Sequence, residues 1–124
     1  MKKLLCLSLA ALVSTSSIAA DWVYIGTNTT GDKFYIDASS IDRNGPYIKF
    51  WNKILFKKTE NSNPTDLKES KTLYEISCSS KRIHSISHVF IPVNDELELL
   101  DTVSSWQYIP PDTISEVMMH KLCS

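Results

Sequence analysis

Three features of the sequence predict an α+β fold, an antiparallel β-meander with one C-terminal α-helix packed on it. The longest strand candidate, Tyr47 to Lys58, alternates apolar and polar residues with period two, as a strand with one buried face must. Turn signals such as Asn44-Gly45 punctuate the strand candidates. Past Pro110-Pro111 the apolar period lengthens to that of a helix, and one terminal helix laid across a sheet is an α+β arrangement.

The first element is not part of that fold. Lys2 and Lys3 precede an apolar run from Leu4 to Val13, followed by the small residues Ser17, Ala19 and Ala20. A basic start, a short apolar core and small residues form a secretory signal peptide, and the run is shorter than the roughly 20 residues needed to span a bilayer. We therefore expect residues 1–20 to be a signal peptide and residues 21–124 to be a single domain. Cys6 is preceded by Lys3-Leu4-Leu5, and the apolar run follows it instead of leading up to it. That order is not a lipoprotein signal, so no lipid anchor is expected.

Without Lys2 and Lys3 the mature balance is 11 basic against 14 acidic residues, a net charge of −3. Nucleic-acid binders carry a strong basic excess, and attachment to anionic lipid needs a polybasic cluster; neither partner is expected, nor is stable membrane insertion. Cys78 and Cys123 are the cysteines left after processing. In an oxidising compartment they permit one internal pairing. Closing a loop of about 45 residues stabilises a fold by about 4 kcal/mol on the chain-entropy argument. Two buried free thiols or an intermolecular bridge are the alternatives.

Trp22 to Thr27 is aromatic and β-branched, which favours a strand. Asn28 to Asp32 reads as a turn and Lys33 to Asp37 as a second strand. Asn44-Gly45 is a hairpin signal, because both residues tolerate positive φ. In the following strand Ile48, Phe50, Ile54 and Phe56 share one face, interrupted by Asn52. The opposite face carries Tyr47, Lys49, Trp51, Lys53, Leu55 and Lys57. Glu60 to Lys68 is polar, holds Pro64 and reads as a loop. Thr72 to Cys78 and Arg82 to Val93 are further strands. Asn94 to Asp101 is ambiguous between a turn and a short acidic helical segment, and Trp106 to Ile109 is extended. Thr113-Ile114-Ser115-Glu116 matches a capping box, with Ile114, Val117, Met118 and Leu122 on one helical face. On such a helix Cys123 points away from that stripe, so an internal disulfide requires the last turn to fray or unwind.

Little in the sequence suggests catalysis. His84 and His88 on a strand would share one face about 13 Å apart, too far to hold one ion. His120 adds no recognisable zinc spacing. No serine lies in a nucleophile-elbow sequence and no glycine-rich phosphate loop is present. Glu96, Glu98 and Asp101 could be paired acids of a glycosidase only if they faced each other across a cleft; an acidic surface segment is the simpler account. No enzyme and no cofactor are expected. The basic and aromatic stripe of Tyr47, Lys49, Trp51, Lys53 and Lys57 has three readings: a solvent-facing surface with lysine stems over apolar neighbours, a contact surface, or the face the terminal helix covers.

Several stretches taken together resemble the surface-adhesin protein E family of Gram-negative bacteria. They are Trp22-Val23-Tyr24-Ile25-Gly26, Phe34-Tyr35-Ile36-Asp37 with Ser40-Ile41, Asn44-Gly45 before the strand containing Trp51, Leu73 to Cys78, Trp106 to Ile114, and Cys123. The resemblance spans nearly the whole mature domain. It implies the antiparallel sheet with a C-terminal helix and a disulfide between Cys78 and Cys123. It also implies an adhesive role, since members bind host proteins such as vitronectin, laminin and plasminogen and can dimerise. The expected function is an exported non-enzymatic binding module with a protein partner, on the cell surface or in the periplasm. The rival reading is a soluble periplasmic structural or inhibitory module with a bacterial partner.

Overall fold

The computed structural model describes residues 19–58 and 63–124. Most of the expected signal peptide, Cys6 included, and residues 60–62 of the expected Glu60–Lys68 loop, with residue 59 before it, lie outside the described residues.

The strands are β1 (Trp22–Thr27), β2 (Lys33–Asp37), β3 (Ile48–Leu55), β4 (Leu67–Ser77), β5 (Arg82–Pro92), β6 (Glu98–Leu100) and β7 (Gln107–Tyr108), followed by the helix α1 (Ile114–Cys123). Strands β1 to β6 lie side by side in chain order, every pair antiparallel, and β7 also pairs with β5. This is the expected meander. Its last edge is a broken strand. β6 lies along Phe90 to His88 and β7 along Ile83 and Arg82. Between them Ser104 bridges, its N–H donating to the Ser85 carbonyl at 2.9 Å and its Oγ accepting from the Ser85 N–H at 2.8 Å. Such short, interrupted pieces give an exposed sheet edge little length on which another chain can template.

The alternation in β3 divides the sheet into two faces, as expected. Phe50, Ile36, Ile76 and Ile83 pack with Met118, Met119 and Leu122 of α1, so the helix lies on the face that carries Phe50. At Gly26 an added Cβ would stand 3.3 Å from Ile114 Cδ1; glycine there lets the first turn of α1 settle against β1. The same face turns polar beyond the helix. Asn52 is buried and donates from Nδ2 to the Tyr35 carbonyl at 3.0 Å. Thr72 Oγ1 pairs with His88 Nδ1 at 3.1 Å, and His88 Nε2 with Ser85 Oγ at 3.2 Å. A buried amide with its hydrogen bond made costs little, which is how Asn52 can interrupt an apolar face.

Four expectations are corrected. β4 begins at Leu67, not Thr72, because Glu69, Ser70 and Lys71 pair on both sides with β3 and β5. Asn94 to Asp101 is neither all turn nor helix, since Glu98–Leu100 is edge strand. The Asn44-Gly45 turn is longer than a two-residue hairpin: the Asp42–Lys49 bridge closes it, and only Gly45 takes a positive φ, 108°. His84 and His88 do not share a face, because a bulge in β5 opposite Leu73 and Tyr74 inserts a residue between them,.

The helix end is the fifth difference. Thr113 caps it, accepting from the Glu116 N–H at 3.2 Å, while the Glu116 carboxylate reaches back to the Asp112 N–H at 3.3 Å. The buried stripe is Met118, Met119 and Leu122, with Val117 exposed. Cys123 follows Met119 by one turn and so borders this rotated stripe. Cys78 and Cys123 are joined by a disulfide with Cα atoms 5.8 Å apart, and the helix runs through Cys123 without unwinding. Arg43 Nη1 donates to the Leu122 carbonyl at the same end.

Candidate functional site

The face opposite α1 is built from odd-numbered residues of β3 and the residues paired with them. Lys49, Trp51 and Lys53 stand at every second position of β3, opposite Glu75, Leu73 and Lys71 of β4. On the other side Tyr35 lies opposite Lys53, and Tyr24 of β1 opposite Tyr35. Among the described residues no helix lies over this face.

Its centre is a lysine held among aromatic rings. Lys53 Nζ sits 4.6 Å from the Trp22 ring centroid and 5.1 Å from that of Tyr35, and Lys71 Nζ sits 5.9 Å from Trp22. Each is within the reach of a cation–π attraction. Lys53 also faces the Glu69 carboxylate at 4.0 Å, and its side chain is only 15 % exposed. Tyr24 meets Tyr35 edge to face at 5.7 Å. A second aromatic group lies toward β7, where Trp106 packs at a tilt against His84 and Tyr47, with ring centroids 3.9 and 4.8 Å away. His84 Nε2 is bound to Glu75 at 2.8 Å, which fixes the ring under Trp106.

Of the five residues singled out from the sequence, Lys49, Trp51 and Lys53 lie together on this face, and Tyr47 stands beside it against Trp106. Lys57 lies past the end of β3. Its N–H donates to Asp32 at 2.9 Å and its stem covers Gly31, which places it at the end of the sheet beside the β1–β2 turn. Sequence reading missed Trp22, Tyr35, Lys71 and Trp106. Trp22, Tyr35 and Lys71 lie within strands and Trp106 just before β7, but only the pairing of the strands shows that they meet Lys53 or Tyr47.

Two low-titrating carboxyls flank β2, Asp32 at the β1–β2 turn and Asp37 at the opposite end beside Trp22. Asp37, 7 % exposed, accepts from the Asp21 N–H at 2.8 Å and from the Ser39 N–H and hydroxyl at 3.0 and 2.6 Å. Burial pushes its carboxyl up, but these donors outweigh burial and hold it below the ordinary value,. At Asp32 the Lys57 N–H is the main cause of a lowered value, helped by Asn28 and Thr30 against a burial penalty. Both groups bind a proton less readily folded than unfolded. Their stabilisation is therefore complete above the ordinary aspartate value of about 3.9 and is lost as pH falls through the lower folded values. Thermal melts between pH 6 and pH 2.5 should show the melting temperature of Asp32→Asn/Asp37→Asn falling less steeply than that of the unmodified protein. Parallel slopes would remove these two carboxyls from the acid response.

Among the described residues no group of three or more His, Cys, Asp or Glu side chains could hold a metal ion, and no helix is long and apolar enough to cross a membrane. The arrangement can present aromatic surface and fixed positive charge to a partner.

A family model described as surface-adhesin protein E matches residues 22–124. A structure of Haemophilus influenzae protein E shares the fold with a TM-score of 0.62 at 14 % identity, covering 86 % of this chain and 86 % of that one. A second crystal form of the same protein gives 0.62 at 16 % identity, over 86 % of this chain and 90 % of that one. Protein E from non-typeable Haemophilus influenzae gives 0.56 at 16 % identity, over 87 % and 78 %. At such identities the structural likeness is one of fold. No curated protein matches the chain significantly.

Proposed function

Because this chain belongs to the surface-adhesin protein E family, we propose that it is an exported, non-enzymatic module that binds host matrix or plasma proteins through the sheet face opposite α1. The observation that carries this reading is the half-buried platform of Trp51 and Lys49 beside the Lys53–Trp22–Tyr35 cluster, on a sheet face that α1 leaves uncovered. Aromatic side chains are enriched in protein interfaces, and Trp and Tyr are prominent among their hot spots. The platform is also rigid. Lys53 and His84 are already held by neighbours, so a partner meets side chains that have little entropy left to lose. β1 leaves one sheet edge without a partner strand among the described residues, and pairing of two copies there would account for a homodimer.

The test uses the purified mature protein over immobilised vitronectin, laminin and plasminogen, measured by surface plasmon resonance. Lys49→Ala/Trp51→Ala should weaken binding to at least one of them about tenfold or more. Val117→Ser, on the exposed side of α1, should leave binding unchanged. Unaltered binding by a folded Lys49→Ala/Trp51→Ala variant would move the site elsewhere, and no binding to any of the three would remove the host-protein reading.

A further inference from the structure

We propose that cleavage of the leader occurs between Ala20 and Asp21, and that Asp37 is the receptor for the α-amino group this creates. The inference rests on the leader reading of residues 1–20 and goes beyond the binding face. The small residues of the leader permit cleavage after Ala19 or after Ala20; the fold distinguishes them. Asp21 N lies 2.8 Å from Asp37 Oδ1, and the Asp21 carbonyl accepts from the Ala38 N–H at 2.8 Å. Asp21 is thus held at both ends by the segment that closes β2, next to the Trp22–Asp37 pair of the ladder. Asp37 is buried, while Ala19 and Ala20 are exposed and outside β1.

In the uncleaved chain Asp21 contributes one neutral amide donor. Signal peptidase adds one water across the Ala20–Asp21 amide bond. The hydroxyl stays on the Ala20 carbonyl carbon, which departs with the leader as a carboxylate, and the nitrogen takes up the two protons as an ammonium. The new group has three donors and a full positive charge at the position of the former amide. The acceptor is already ionised before cleavage; what cleavage adds is a full opposite charge beside the buried carboxylate, an ion-pair attraction the neutral amide lacks. Cleavage after Ala19 would put the charge one residue upstream, about 3.8 Å along the chain, where Ala20 is exposed to water. The charged groups nearby are the Asp21 carboxylate on the same residue, Lys53 on β3 and Lys71 on β4, the last two over the Trp22 ring.

Two measurements test this. The full-length chain is exported in a Gram-negative host, and the mature protein is weighed by intact mass spectrometry; the mass should correspond to a start at Asp21. Proteins beginning at Asp21 and at Ala20 are then made from fusions cleaved without residual amino acids, oxidised, and melted with Asp37 intact and as Asp37→Asn. At pH 7 the Asp21 form should melt about 4 °C higher. The gap should close in the Asp37→Asn pair, and also near pH 10, where the amine is neutral and the lysines titrate alike in both forms. A mature start elsewhere, an uncleaved leader, or equal melting of the two forms with Asp37 intact would overturn the proposal. If Asp37→Asn does not fold, a gap that persists at pH 10 does the same.

Discussion

Replacing Cys78 and Cys123 together by alanine is expected to lower the unfolding free energy by about 4 kcal/mol, and the melting temperature by about 15 °C or more. The bridge spans 45 residues of sequence, so its loss frees β5, β6, β7 and the approach to α1 in the unfolded chain. The folded side of the balance is thin at the same place. α1 is 10 residues long and buries only three side chains deeply. A helix that short does not hold itself together in water. Calorimetry of the oxidised protein, the reduced protein and the double variant checks the expectation. Amide exchange in Met118 to Leu122 should rise in step with the stability loss. A loss under about 1 kcal/mol would mean that Met118, Met119 and Leu122 dock the helix without help from the cross-link.

The period-two pattern of β3 and the capping box at Thr113 were sufficient to place a sheet and a terminal helix, because both signals are local. Each depends on which side chain points where within one element. What remained hidden depends on two elements at once. The β5 bulge that separates His84 from His88 exists only as a mismatch with β4. β6 and β7 are too short to alternate, and show as strands only against β5. The helical stripe was placed over Val117 when it runs through Met119, since both are apolar and only the position of the sheet chooses between them. That one rotation also explains why Cys123 reaches Cys78 from an intact helix.

The candidate face was legible in the same partial way. Alternation along β3 brought Lys49, Trp51 and Lys53 to one side, and the structure keeps them there. Lys57 continues the alternation on paper but lies past the last paired residue, Leu55, where period two no longer says anything about direction. Trp22 and Tyr35 carry the Lys53 ammonium, yet they stand 31 and 18 positions away in sequence. Nothing local links them. Lys53 consequently changes meaning: read alone it is a free surface charge, and in place it is a packed centre whose removal would disturb the platform it organises. For that reason Lys49 and Trp51, not Lys53, are the informative positions for binding.

Phe50→Ala should be the most damaging single substitution in the sheet, at about 3–5 kcal/mol. Phe50 is fully buried and lies opposite Tyr74 on β4, their rings stacked 5.9 Å apart. It belongs to the cluster that joins β2, β3, β4 and β5 to Met118, Met119 and Leu122, so the cavity left by its ring opens beneath the helix. A domain of this size has only about 5–15 kcal/mol in all, and the variant should melt about 15 °C or more lower. Phe50→Leu keeps most of the volume and should cost under about 1.5 kcal/mol. The pair separates packing from backbone effects, because both variants retain the same strand position. Burial raises the Tyr74 phenol above its ordinary value; water entering the Phe50→Ala cavity should lower it, which ultraviolet titration reads directly. Stability equal to that of Phe50→Leu, with an unmoved Tyr74 titration, would mean that the helix closes over the gap and that the core holds without this ring.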